Sequence, residues 1–520
     1  MAAQTTKPAQ GEQYFRTDHL RVNLGGKAAR GGFIAITSQG LKFFLTIAAT
    51  SVMARLLTPA DYGLIGMVAF VTGFVSMYKD LGLSAATIQR SEINSGQIST
   101  LFWINLLLSV AITLVTMAIA PLVAWFYGEP RLTLITIVTS VGFLISGLAV
   151  QHEALLRRQM RFLALAAIGL ASLIAGYVVG ILMAWRGFGY WALVSSQLAV
   201  AATSTVLIIF VCQWIPGLPQ RNTGVRSMIR FGGNLTGFTT INYFSRNLDN
   251  LLIGRFWGAQ QLGLYSRAYQ LMGLPIDQIN EPLTSVAVPA LSRLTDSPES
   301  YRRAYLRMLE KVALLTMPCV VLMILTADWI VQVVLGPQWV GAVRIFVLLG
   351  ITGIFQPIAN TTGWLLISQG RTNHMFQWGL ISGPIIMAAI VIGLPWGAVG
   401  VAASYAIARV CIVDPLLYWF VGRTGPVRTM DFYRTMAPFA IASLSALLAA
   451  AMFRQWSGFS TGILTVAIYF IITVAVTLLV LAVMPVGRRA LLDVKNSLFL
   501  LVSRAHVSPG VPNDQSSNHE

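Results

Sequence analysis

Charge is what this chain has least of. Only 11% of its 520 residues are charged, while 56% are hydrophobic. A soluble protein keeps roughly a quarter of its residues charged. A chain this long with so few cannot coat its surface with polar groups, so lipid is its solvent. Histidine is almost as scarce: of five, His19, His506 and His519 lie in the terminal segments. His152-Glu153 lacks the second histidine of a zinc helix. No Asp-x-Asp pair, no Walker loop and no long polar insert offers a metal or nucleotide site. The three cysteines, Cys212, Cys319 and Cys411, sit in apolar runs and fit neither a metal spacing nor a disulfide framework. They read as small buried hydrophobes. The expectation is a non-enzyme with no cofactor and no metal.

What the sequence has in abundance is continuous apolar runs. They do not alternate in polarity, which favours helices over a membrane barrel. About fourteen are long enough to span at roughly 20 residues each: 33–54, 62–82, 100–123, 132–153, 162–184, 190–212, 231–253, 262–283, 309–335, 342–367, 376–396, 398–421, 433–453 and 462–484. The first is too long for a signal-peptide core and has no small-residue cleavage site after it. The seventh and eighth are unusually polar.

The net charge of +17 is distributed by loop. With the N-terminus inside, the inner segments hold 25 Lys and Arg and the outer segments six, while five lie within spans. That is the positive-inside pattern, with both termini cytoplasmic. It accounts for the basicity without nucleic acid.

The chain also repeats. At an offset of 200, Arg55 aligns with Arg255 and Gly63-Leu64 with Gly263-Leu264. Arg30-Gly31-Gly32 aligns with Arg230-Phe231-Gly232. Phe126-Tyr127-Gly128-Glu129-Pro130 resembles Val334-Leu335-Gly336-Pro337, and Gly189-Tyr190-Trp191-Ala192 resembles Gly400-Val401-Ala402-Ala403. An offset of six helices preserves orientation, so the repeat is parallel. The predicted architecture is an all-α polytopic membrane protein: a cytoplasmic tail over 1–29, two six-helix lobes over 30–215 and 216–421 around a central cavity, two further helices within 422–487, and a cytoplasmic tail over 488–520.

Ionisable groups inside spans are costly and usually functional. Lys42 lies about 15 Å into the first span at 1.5 Å per residue, beside Thr37, Ser38, Gln39 and Thr46. It lines a cavity or makes a structural contact between lobes. The seventh span carries Asn242, Arg246 and Asp249 among many polar groups. Arg246 falls one turn from Lys42 in repeat register, and an ion pair with Asp249 at i, i+3 is the local alternative. The eighth span holds Arg267, Asp277 and Glu281, with Pro275, Pro282 and Pro289 on one face, as in a hinged helix beside a cavity. Asp277 and Glu281 are four apart and suit a proton, a cation or a structural role. Arg409 lies deep in the twelfth span, with Asp414 poorly placed to meet it on an α-helix. Arg157, Arg158 and Arg161 read as positive-inside residues.

Several runs recur in a known order: Ala54-Arg55-Leu56-Leu57-Thr58-Pro59-Ala60-Asp61-Tyr62-Gly63-Leu64, Asp80-Leu81-Gly82-Leu83, Ala154-Leu155-Leu156-Arg157-Arg158-Gln159-Met160-Arg161-Phe162, and Asn247-Leu248-Asp249-Asn250-Leu251-Leu252-Ile253-Gly254-Arg255 continuing into Gly263-Leu264-Tyr265-Ser266-Arg267-Ala268-Tyr269. Together they resemble the polysaccharide-transport (Wzx-like) exporters, nearest the colanic-acid-type branch, within the multidrug/oligosaccharidyl-lipid/polysaccharide exporter superfamily. The resemblance covers about residues 27–485. It implies a flippase of the bacterial inner membrane that moves an undecaprenyl-diphosphate-linked oligosaccharide by alternating access. It implies that cavity cations, here Lys42, Arg246 and Arg267, meet the diphosphate. Membrane lipids, and a polymerase and co-polymerase of the same pathway, are the partners it suggests. A multidrug/cation antiporter of the superfamily and a membrane polysaccharide polymerase or ligase are the competing readings.

Overall fold

The computed structural model describes residues 24–79, 83–89, 93–220, 225–457 and 462–493, leaving aside the side chains of 24–36, 85, 86, 89, 225–242, 245, 281 and 463. The terminal segments expected as tails lie outside this set up to residue 23 and from residue 494 onward. No strand occurs among the described residues. The helices are α1 (Leu24–Leu56), α2 (Pro59–Ser76), α3 (Leu83–Gln89), α4 (Ser95–Tyr127), α5 (Arg131–Gly147), α6 (Val150–Arg158), α7 (Phe162–Trp185) and α8 (Trp191–Cys212). They continue as α9 (Val225–Ser292), α10 (Pro298–Leu325), α11 (Ala342–Ser368), α12 (Thr372–Gly393), α13 (Gly397–Ala408), α14 (Asp414–Gly422), α15 (Thr429–Ser457) and α16 (Ile463–Val483).

The helix ends are written in the sequence. Thr58 and Asp61 exchange side-chain and backbone hydrogen bonds as a capping box at the start of α2, with Pro59 at its first turn. Asn94 and Gln97 do the same for α4. Gly128 closes α4 in the left-handed conformation (φ 69°), which favours glycine. In the turn that follows, Arg131 donates to both carboxylate oxygens of Glu129 at 2.8 and 2.9 Å. That bond holds the Glu129 carboxyl below its ordinary range.

Among the described residues, nine segments are long and apolar enough to cross a membrane. They are ten if Arg131–Gly147 and Val150–Arg158, bent by 42°, form one span. The expected fourteen differ for these reasons. Thr372–Gly422 counts once although it contains two expected spans. The helix α9, which carries the expected seventh and eighth spans, is too polar for a hydropathy test to select, and of α1, the expected first span, only residues 37–56 have described side chains.

The chain divides into two compact units. One comprises residues up to Gln278, Ala327–Thr352 and Thr372–Pro415; the other comprises Ile279–Thr326, Gly353–Arg371 and residues from Leu416. In the first, α7 packs on α8 and on α1, α4 on α5, and α12 on α13. Leu101, Phe102, Leu155, Leu156, Ile208 and Trp214 form a buried core in this unit. In the second, α10 packs on α15 and α16 through Val321, Leu325, Ala450 and Tyr469. Tyr301 bonds Ser368 at 2.6 Å, Tyr305 bonds Thr361 at 2.7 Å, and Arg302 makes an ion pair with Asp431.

Two arginines read as topological do structural work as well. Arg158 is buried and donates to the carbonyls of Thr87 and Ile88 at the end of α3, at 3.1 and 3.4 Å. Arg161 donates to the Val211 carbonyl at the end of α8, at 3.3 Å. Cations near helix C-termini satisfy free carbonyls and complement the helix dipole.

The tightest helix approach in the first unit is made by two reciprocal contacts, exchanged by a shift of 200 positions. A Cβ added to Gly63 would run into the Ala259 carbonyl, and one added to Gly263 into the Pro59 carbonyl. Each of these four residues has its counterpart 200 positions away. Only glycine lets two helix backbones come this close. Gly63→Ala is therefore expected to destabilise by about 1–3 kcal/mol, the range for overpacking. Gly379→Ala, where an added Cβ meets nothing within 4 Å, is expected to be neutral or stabilising. Thermal unfolding of the two purified variants in detergent checks the contrast; equal melting temperatures would refute it.

Candidate functional site

The polar helix α9 is one 68-residue element broken at Gly258, whose φ of 77° and ψ of −178° belong to a region open only to glycine. The break turns the expected seventh and eighth spans into two arms, 225–257 and 259–292. Trp257 closes the turn by donating to the Leu394 carbonyl at 2.7 Å. The first-unit portions of both arms bring polar side chains near α2, α7, α13 and the turn after α13.

Lys42 is half-buried on α1 and lies along α7. A Cβ placed on Gly169 would sit 2.7 Å from its ammonium nitrogen, so the chain passes over bare backbone. One turn further along α1, Thr46 accepts from Tyr177 of α7 at 3.2 Å. Gln39, one turn earlier, is also half-buried. Lys42 and Thr46, four apart on α1, thus both lie against α7.

Arg267, on the second arm of α9, stacks its guanidinium over the ring of Tyr62, 4.0 Å from the centroid. It donates to the Gln270 side-chain oxygen at 2.5 Å. Tyr62 is itself 3% exposed and meets Trp339 edge to face at 5.3 Å. Tyr177 lies within electrostatic range of both Tyr62 and Arg267. A run of hydroxyls and rings therefore leads from the Lys42 face of α1 to Arg267. Neither cation forms an ion pair with a carboxylate among the described residues.

The first arm behaves differently. Asp249 is 7% exposed. Its two oxygens accept from the Tyr265 hydroxyl and the Asn250 backbone N–H, each at 2.8 Å. The alternative ion pair between Arg246 and Asp249 does not form; Arg246 is exposed instead. Asp277 is exposed on the second arm. The side chains of Asn242 and Glu281 lie outside the described residues.

Arg409 and Asp414 correct the sequence expectation. They form an ion pair at 3.1 Å, with side chains 15% and 4% exposed. On an α-helix, positions five apart point well away from each other. Residues Arg409–Val413 are wound as a π-helix instead, and that wider turn brings the fifth residue round. Sequence reading also missed Tyr62, Tyr177 and Tyr405. Their available signal was a phenol placed inside or at the mouth of an apolar run, where its hydroxyl needs a partner.

The arrangement can hold positive charge deep within a helical bundle against neutral partners, next to a separate buried carboxylate and a neutralised ion pair. These features define a multi-pass helical membrane protein with a charged interior path. The sequence profile described as "Polysaccharide biosynthesis protein" matches residues 52–344, and the chain belongs to that family. It is 27% identical over 397 residues to the teichuronic acid biosynthesis protein TuaB of Bacillus subtilis (strain 168), covering 75% of this chain and 81% of that one. It is 26% identical over 378 residues to the lipopolysaccharide biosynthesis protein WzxC of Escherichia coli (strain K12), covering 71% and 76%. It is 24% identical over 426 residues to the succinoglycan biosynthesis transport protein ExoT of Rhizobium meliloti (strain 1021), covering 81% and 84%. In fold it is similar to the lipid II flippase MurJ in an inward closed conformation, with a TM-score of 0.70 at 14% identity, covering 88% of this chain and 98% of that one.

Removing one partner of a buried ion pair leaves an uncompensated charge and costs about 3–5 kcal/mol. Arg409→Gln is expected to destabilise by about that amount, and Arg409→Gln combined with Asp414→Asn to recover most of it. A double-mutant cycle on thermal stability measures the coupling. Additive losses would show that the π turn, rather than the pair, holds the segment.

Proposed function

We propose that this chain is a flippase of the bacterial inner membrane. It carries an undecaprenyl-diphosphate-linked oligosaccharide from the cytoplasmic to the periplasmic leaflet for exopolysaccharide, capsule or O-antigen synthesis. The observation that carries the reading is the state of Lys42 and Arg267. Both are cations within spanning helices, and both rest on neutral partners: bare helix backbone at Gly169 and the face of Tyr62. A fixed positive charge with no carboxylate on it remains available to an anionic head group, and a diphosphate is the anion it fits. The names of TuaB, WzxC and ExoT, all in polysaccharide biosynthesis, support the same substrate class.

In this reading, Lys42, Arg246 and Arg267 meet the diphosphate. Gln39, Asn242, Asp249, Asp277 and Glu281 line the path or bind a coupling ion. The lobes 30–215 and 216–421 alternate access around that path, the helices within 422–487 flank them, and both termini are cytoplasmic. The chain moves its substrate without chemistry on it. A polymerase and co-polymerase receive the product.

A deletion strain is expected to lose surface polysaccharide while lipid-linked repeat units accumulate inside. Lys42→Ala and Arg267→Ala should each reduce export at least tenfold with normal membrane levels, since each removes a charge-assisted contact of about 1.5–3 kcal/mol. Lys42→Arg should retain most of it. Undiminished polymer in the deletion strain would defeat the proposal. So would export by Lys42→Ala and Arg267→Ala equal to wild type, or a gain of resistance to cationic drugs on expression, which favours the antiporter.

A further inference from the structure

Tyr269 combines two properties that conflict on an ordinary spanning helix. It is 44% exposed. It also lies within electrostatic range of Tyr405, Asp249, Arg246 and Arg409. These groups belong to α13, the first arm of α9 and the π turn, so they close in on Tyr269 from elements other than its own arm. A side chain turned toward lipid has no such surroundings, because charged groups are excluded from hydrocarbon. The exposed surface of Tyr269 therefore faces an internal, water-accessible space.

The ring is also held in place. Tyr269 stacks on Tyr265 with centroids 6.4 Å apart and planes at 25°. Tyr265 is 1% exposed and its hydroxyl is fixed on Asp249 at 2.8 Å. The buried carboxylate thus sets the plane of Tyr265, and Tyr265 sets the plane of Tyr269. A preset ring costs little order when a ligand arrives.

We infer that Tyr269 is a stacking platform for the first sugar of the carried molecule, an inference that rests on the flippase reading. An aromatic face is electron-rich and attracts the weakly positive C–H groups on one face of a pyranose. The hydroxyls at the rim of that pyranose then meet polar groups, and Arg246 is exposed and within electrostatic range of the ring. The charge fits as well: Arg246, one of the cations given to the diphosphate in the flippase reading, lies within electrostatic range of the ring, and the first sugar is one bond from the diphosphate. An isoprenyl tail needs no cation next to the ring that packs on it.

The test uses the full chain in detergent with two probes: undecaprenyl diphosphate, and undecaprenyl diphosphate carrying glucose or galactose. The readout is the ratio of their affinities. Wild type is expected to prefer a sugar-bearing lipid, and Tyr269→Leu to lose about three- to tenfold of that preference, as suits one aromatic face. Tyr269→Phe, which keeps the face and drops the hydroxyl, should restore it. Equal weakening of both probes by Tyr269→Leu would overturn the sugar platform and point to the lipid or to structure. Unchanged preference in Tyr269→Leu, or lost preference in Tyr269→Phe, would also overturn it. Failure of wild type to bind either probe would overturn the flippase reading together with it.

Discussion

A charge within the bilayer must find its solvent in the protein. Moving an ion from water to an apolar surround costs several kcal/mol even after relaxation, and this chain does it repeatedly with different partners. Arg267 uses an aromatic face and a carboxamide oxygen. Lys42 uses bare helix backbone and a neighbouring face of hydroxyls. Asp249 uses a phenol and a peptide N–H. Arg409 uses a carboxylate. The first two leave the net charge standing and the last cancels it. That difference separates groups able to recognise an anion from a pair that holds a helix.

Three of these solutions, at Arg267, Asp249 and Arg409, need the backbone to depart from a regular helix. The left-handed Gly258 divides α9 and brings its second arm back so that Arg267 reaches Tyr62 and Tyr265 reaches Asp249. The π turn after α13 rotates Asp414 under Arg409. Gly63 and Gly263 let helix backbones touch where any side chain would hold them apart. These irregularities carry a cost in local stability, and the close packing around them offsets it. The spans without charged groups, such as α7 and α16, are regular by comparison.

Much of this was legible in the sequence. Apolar runs marked most of the helix positions, whereas the capping boxes at Thr58 and Asn94 that set two helix starts went unread. The polarity of the expected first, seventh and eighth spans marked the charged helices, and the same polarity hides α9 from a hydropathy count. Pairings were harder to read. Periodicity put Arg246 and Asp249 on one face, yet Asp249 is taken by Tyr265, 16 residues away across the Gly258 break. It also separated Arg409 from Asp414, because a π turn leaves no mark in polarity. Tertiary partners such as Tyr62 and Tyr177 come from other helices, which no pattern within one helix reveals.

The sign of the charge decides between carriers that share a fold. The likeness to MurJ at 14% identity speaks to architecture alone, and a similar helical frame suits a lipid-linked sugar or a cationic drug. A drug cation needs an acidic path whose carboxylates are free to meet it. Here the buried Asp249 is already occupied by two donors, and Asp414 faces Arg409. Among the described residues of α1 and α9, Lys42, Arg246 and Arg267 carry charge that no carboxylate cancels. A cation entering beside them would be repelled, with little water to screen the repulsion. An anion would be drawn to the same place, and the aromatic rings alongside offer a surface for what the anion carries.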